Sequence, residues 1–230
     1  VFLPLTYVKA LNPQAVVVIF PSDHFIFPED PFVETVQRAV RAVELWRDRM
    51  ILLGVRPSHL ELDYGWVSPG RILGWSEGSC IRQIHEFVEK PESGDGERLL
   101  NQGALWNTLV FVAPVETLWH AGWTCVPDVM ERFEQLGDSI GTPAEESVLQ
   151  TIYDDMPTRD FSRDVLQPLS RQLGIIELEK VLWSDWGRPE RILETLQAVG
   201  ISPTFPTEVF QENPTPSTLK VEVEVASTVN

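Results

Sequence analysis

The chain has 230 residues, 34 of them Asp or Glu against 18 Lys or Arg, for a formal net charge of −16. That balance excludes a protein that grips a nucleic-acid backbone, because such affinity comes from many cationic contacts. Cys80 and Cys125 are the only cysteines, too few and too far apart for a disulfide framework or a zinc site. No apolar run approaches membrane-spanning length and no signal-peptide pattern opens the chain, so a soluble, cytoplasmic protein of one α/β domain is expected.

Residues 2–11 read as the end of a helix leading into a strand, and with valine in first place the chain is expected to continue upstream. The four branched residues Val16–Ile19 predict a strand buried on both faces of a mostly parallel α/β sheet. Pro21 cannot donate to a ladder, so pairing should end there. Asp23 then stands just beyond the carboxyl end of that strand, where open α/β sheets collect ligands. A carboxylate there suits Mg²⁺, which takes a few hard oxygens plus substrate phosphates. A local alternative makes Ser22 or Asp23 the cap of a following turn.

Proline and acidic residues at 28–31 are helix-start signals, and Phe32, Val36, Ala39, Val40, Val43 and Trp46 follow at helical spacing. Residues 50–55 form the next predicted strand, giving a right-handed strand–helix–strand crossover. The segment 54–78, dense in glycine, proline and aromatic residues, reads as functional loop. Within it GWSEG (74–78) fits the nucleophile-elbow pattern, which requires a strand before it, a helix after it, and an acid and a histidine downstream. Residues 80–89 read instead as a strand, so 74–78 is predicted to be a hairpin turn.

A short helix at 96–102 precedes a strand at 105–112 that carries Asn107 and Thr108 in an apolar run; such polar groups need internal partners or a ligand. Helices are predicted at 115–121, 127–136, 143–153 and 161–172. Residues 175–183 have strand composition and end on Ser184 and Asp185, a second aspartate at a strand end. A helix at 188–199 closes at Gly200, placed as a C-terminal cap. Residues 1–200 thus form the predicted domain, and 201–230, rich in Pro, Thr, Glu and Ser, a flexible tail.

Collected at the predicted strand ends are Asp23, Tyr64, Gly65, Glu89, Lys90, Asn107 and Asp185. Two carboxylates can hold one or two Mg²⁺ ions, a lysine can neutralise a phosphate, and Asn with Glu can bind sugar hydroxyls. That set suits phosphoryl-type transfer, where positioning and electrostatic stabilisation dominate. Each has a plainer account when taken alone: Glu89 and Lys90 as a solvated pair worth under about 1 kcal/mol, Gly65 as a turn.

In order and wording, PSDHFI (21–26), GVRPSHLELDYGWV (54–67), FVEKP (87–91), LWNTLVFV (105–112) and LWSDWGRPERI (182–192) resemble the bacterial mannose-1-phosphate guanylyltransferases, within the sugar nucleotidyltransferase superfamily. The likeness runs over residues 4–200. It implies a Rossmann-like nucleotidyltransferase domain with a central mixed, mostly parallel sheet and helices on both faces. The implied reaction joins GTP and α-D-mannose 1-phosphate into GDP-mannose and pyrophosphate, with Mg²⁺ required. The resemblance makes Asp23 and Asp185 metal-binding and catalytic, and has Lys90 contact the sugar phosphate. Glu89 and Asn107 bind the sugar, and Gly65, after Tyr64, lets the backbone approach the sugar nucleotide.

Leu62, Asp63 and Leu109 depart from the family, which often has Thr, Gly and Gly there. They keep two alternatives open: another hexose 1-phosphate as substrate, or a non-catalytic sugar-nucleotide-binding paralogue. The glycine-rich G-x-G-x-R loop that wraps the triphosphate in the family has no counterpart within the 230 residues, and neither Gly70 with Arg71 nor Gly94 with Gly96 replaces it. The chain by itself is therefore expected to turn over negligibly and to present an open sheet edge. A homodimer is compatible with all of this.

Overall fold

Short runs of branched apolar residues, punctuated by glycine and proline, build the sheets of the computed structural model, which describes residues 1–204. Residues 205–230, nearly all of the predicted tail, lie outside the described residues. In chain order the elements are α1 (Phe2–Leu11), β1 (Val16–Ile19), β2 (His24–Phe27), α2 (Glu29–Leu45), β3 (Ile51–Val55), β4 (Gly65–Ser76), β5 (Ser79–Glu89) and α3 (Ser93–Asn101). There follow β6 (Leu105–Pro114), α4 (Val115–Cys125), α5 (Pro127–Ser139), α6 (Glu145–Asp154), β7 (Gly174–Glu177), β8 (Leu182–Asp185) and α7 (Pro189–Ala198).

Six strands form one sheet in the order β1, β6, β3, β7, β5, β4, with β4 also reaching β6; β2 and β8 form a separate ribbon. Successive side chains of a strand face opposite sides of a sheet, and the core divides accordingly. Ile51 and Leu53 of β3 join Val110, Val112 and Ile176 against Ala39, Ala42 and Val43 of α2. Leu52, Val67, Ile84, Phe111 and Ile175 face the other way, onto Phe2 and Leu5 of α1, Leu118 of α4 and Met130 of α5. Helices on both faces of a mixed sheet are therefore as the sequence predicts.

Strand direction is not. Among the described residues only β3 and β7 pair in parallel; the other pairings are antiparallel. The predicted crossover from β1 through α2 to β3 is present, and the two strands run the same way because each is antiparallel to β6. What the sequence could not reveal is that β6, arriving from far along the chain, inserts between them. For the same reason β1 is not buried on both faces: it lies at one end of the strand order, paired with β6 alone, with each residue half-buried. Asp23 thus follows an end strand rather than a central one.

Two further expectations change. Half of the supposed loop at 54–78 is strand β4, and the predicted strand at 175–183 is two strands, β7 in the main sheet and β8 in the ribbon. Lys180, at φ 61°, turns the chain between them. The hairpin at 74–78 holds: Glu77 and Gly78 have φ of 44° and 85°, the left-handed pair that suits the twist of an antiparallel hairpin. No helix among the described residues is long and apolar enough to cross a membrane.

Candidate active site

The ribbon brings the two predicted aspartates together. His24 is paired with Asp185 across β2 and β8, and the Trp186 N–H donates to the Asp23 carbonyl at 2.7 Å. Asp23 and Asp185 therefore occupy adjacent rungs at one end of the ribbon. The Asp23 carboxylate is 58% exposed, with His24 Nε2 3.9 Å away. Asp185 is more confined. Its Oδ1 accepts the Tyr64 hydroxyl at 2.8 Å and the Arg191 Nη1 donor, while Oδ2 accepts no hydrogen bond among the described residues.

Arg191, in the first turn of α7, also donates through Nη2 to Glu61 Oε2 at 2.9 Å, and its guanidinium lies 4.5 Å from the centre of the Tyr64 ring. Arg188 pairs with Asp63 and approaches Glu61 at 3.7 Å. Burial, reinforced by the Asp185 charge and hydrogen bond, pushes the Tyr64 hydroxyl well above its usual range. It therefore stays a protonated donor to Asp185.

His24 is a site residue that sequence reasoning passed over, although it lay inside the PSDHFI segment. Its ring meets Trp183 edge-on at 5.1 Å, with Trp183 Nε1 donating to Nδ1 at 3.3 Å. Burial lowers its pKa below the ordinary 6.5, against the pull of Asp23 and Asp185. His59, set edge-on against Trp106 at 5.0 Å, is lowered by burial too, against Glu61 and Glu194. Both contribute stability that is fully present above pH 6.5 and is lost as pH falls through their folded values, because the unfolded chain takes protons that the fold refuses. The urea midpoint is thus expected to drop between about pH 7.5 and about pH 5.5, and a variant with glutamine at both positions should lose most of that slope. Glu89, raised by burial, acts with opposite sign, its penalty growing as pH rises above its ordinary 4.5. An unchanged slope in the double variant would remove both histidines from the account.

The remaining predicted residues gather one step along β4. Gly65 is paired with Glu89, and a Cβ at Gly65 would fall 2.5 Å from Glu89 Oε2 and 3.4 Å from Asn107 Cβ. A larger residue would have to displace the Glu89 carboxylate, so the glycine is favoured here by close approach rather than by a turn. Asn107, buried in β6, accepts the Leu109 N–H on Oδ1 at 3.2 Å, and its amide nitrogen donates to none of the described residues. Leu109 itself sits at φ 56°, a conformation that side chains disfavour and glycine adopts freely. Lys90 is exposed, at φ 51°, with its N–H on the Tyr64 carbonyl at 3.3 Å.

Glu89 is raised by burial and by Asp160, against the opposing pull of Lys90 and Arg163. Asp160 and Arg163 lie at the start of a segment predicted as ordinary helix, where the structure has a π-helical turn at Ser162–Leu166 and a 3₁₀ turn at Ser170–Gln172. Gln167 Oε1 accepts the Glu89 N–H at 3.0 Å. Irregular helical turns of this kind gather at functional sites, but no sequence periodicity separates them from α-helix.

The donor chemistry fits a hard divalent cation: one exposed carboxylate and one free carboxylate oxygen, with further positions left for phosphate oxygens and water. Among the described residues there is no cluster of three or more His, Cys, Asp or Glu that could hold a metal, so a cation at this place would have those two groups to bind.

The family model described as Nucleotidyl transferase matches residues 5–200. The mannose-1-phosphate guanylyltransferase of Salmonella montevideo is 30% identical over 111 residues, 47% of this chain and 23% of that protein. The Escherichia coli protein of the same name is 26% identical over 109 residues, again 47% of this chain and 23% of its own length. The chain therefore spans less than a quarter of these curated relatives. A Thermus thermophilus crystal structure, described as a mannose-1-phosphate geranyltransferase, shares the fold with a TM-score of 0.65 at 22% identity, over 80% of this chain and 50% of that one. As the family match takes in both the ribbon that carries Asp23 and Asp185 and the strands that carry Gly65, Glu89 and Asn107, the chain belongs to the nucleotidyl transferase family.

Proposed function

We propose that this chain is the catalytic part of a sugar nucleotidyltransferase that joins GTP and α-D-mannose 1-phosphate into GDP-mannose and pyrophosphate in the cytoplasm, with Mg²⁺. One observation carries the reading. Tyr64 and Gly65 are consecutive, yet Tyr64 is bonded to Asp185 and Gly65 is packed against Glu89 and Asn107. The residues assigned to the sugar thereby adjoin the aspartate pair through one peptide step of β4, which is the juxtaposition that transfer onto a sugar phosphate needs.

In this reading Asp23 and Asp185 hold the cation, which when bound supplies charge neutralisation at the nucleotide phosphates. Lys90 brings its ammonium to the sugar phosphate, whose oxygen attacks the α-phosphorus while pyrophosphate leaves. Glu89 and the free amide of Asn107 hold sugar hydroxyls, and the missing side chain at Gly65 lets the Glu89 carboxylate lie close against the β4 backbone. The protein supplies no covalent step; orientation and charge do the work. A second reading, with another hexose 1-phosphate, is favoured by Leu109, whose strained backbone lies two residues from Asn107.

The test is pyrophosphate release by the native protein over a panel of nucleoside triphosphates and hexose 1-phosphates, with and without Mg²⁺. GTP with mannose 1-phosphate should be fastest and should need the metal. Preference for a different hexose 1-phosphate would establish the second reading. Binding of GDP-mannose without any turnover would make the protein a non-catalytic paralogue.

A further inference from the structure

We infer that Arg191 is a resident counter-ion at Asp185 which weakens the aspartate pair for a free divalent cation, so that the metal is taken up together with a polyphosphate rather than alone. The inference rests on the proposed metal role of Asp23 and Asp185. Arg191 differs from an ordinary surface partner. Its side chain is 11% exposed and is held between Asp185 and Glu61 with Tyr64 against its face. A guanidinium so placed cannot relieve charge by losing a proton, since arginine stays ionised in proteins.

Position on the helix makes the same point. Arg188 caps α7 and Arg191 lies in its first turn, where the helix dipole is positive and a cation is unfavourable. Propensity does not put them there; the carboxylates of Asp185, Glu61 and Asp63 do. A divalent ion coming to Asp185 Oδ2 meets a fixed positive charge on Oδ1 of the same carboxylate. Arg191, shared with Glu61, offsets part of the aspartate pair's charge, whereas a polyphosphate adds several anionic oxygens and offers the arginine another acceptor.

Mn²⁺ is a suitable probe, its free concentration read by electron paramagnetic resonance during titration of the protein without nucleotide. Arg191→Met is expected to tighten Mn²⁺ binding by about tenfold or more, and Arg191→Lys, which keeps the charge, by much less. A merely structural role would leave affinity unchanged or weaken it. Because Arg191→Met leaves Glu61 unpaired, the double variant Arg191→Met with Glu61→Gln is measured as well, with circular dichroism to confirm folding. Unchanged or weaker Mn²⁺ binding in both folded variants overturns the inference. Asp23→Asn, made in the wild-type and Arg191→Met backgrounds, separates the two claims. If it weakens Mn²⁺ but Arg191→Met does not tighten it, the counter-ion role alone falls. If Asp23→Asn and Asp185→Asn change nothing in either background, the metal reading falls and takes the inference with it.

Discussion

Asp185→Asn is expected to cut turnover of the native protein by roughly two to three orders of magnitude, the scale on which removal of one preorganised electrostatic group is felt. Asparagine has the same shape and keeps an oxygen to accept the Tyr64 hydroxyl, so the effect isolates the charge. Arg191 loses its partner on β8 but retains Glu61 at 2.9 Å and Asp63 at 3.8 Å, which limits the stability loss to about 1–2 kcal/mol. Pyrophosphate release as a function of Mg²⁺ concentration is the measurement, with a thermal melt as the control for folding. Unchanged kcat and unchanged Mg²⁺ dependence would remove Asp185 from the chemistry.

Trp183→Ala is expected to cost about 3–5 kcal/mol, as for other large aromatic truncations in cores, and to abolish function along with stability. A two-stranded ribbon is at best marginal by itself, and β2 and β8 contribute four residues each. What holds them is the aromatic cluster beneath. Trp183 is 7% exposed, with the rings of His24 and Tyr64 each centred 5.1 Å away and Trp106 at 6.5 Å. Removing the indole opens a cavity behind both Asp185 and the Tyr64 that orients it. Urea unfolding should show the loss, and Trp183→Phe should recover more than half of it. A loss under about 1 kcal/mol would mean that the ribbon is held by something else.

These two residues show where legibility ended. Asp185 was readable because an apolar run stops at it and a glycine follows, a local pattern that needs no knowledge of the partner strand. Its bonds to Tyr64 and Arg191 were not readable, because they join segments far apart in sequence and arise only when the ribbon folds against the start of β4. The same holds for His24, neighbour to a residue singled out from the start but given meaning only by the ribbon. Gly65 was assigned on resemblance, and the reason for it, a Cβ that would strike Glu89, is a tertiary fact. The π-helical turn at Ser162–Leu166 had no signature beyond ordinary helical composition.

The sequence by itself determined the existence and type of most elements and the hairpin at 74–78, and it singled out Asp23 and Asp185 as candidates, because hydrophobic period, turn chemistry and short motifs are local properties. Only the tertiary structure decided which strands are neighbours and in which direction they run. A fully buried apolar run looks the same in parallel and antiparallel pairing, so nothing in Val16–Ile19 or Leu105–Pro114 could tell that the second would lie beside the first and opposed to it. Electrostatics followed the same division. The formal charge of −16 argued against a nucleic-acid partner from composition alone, while the placing of one arginine on one of the two aspartates came from packing.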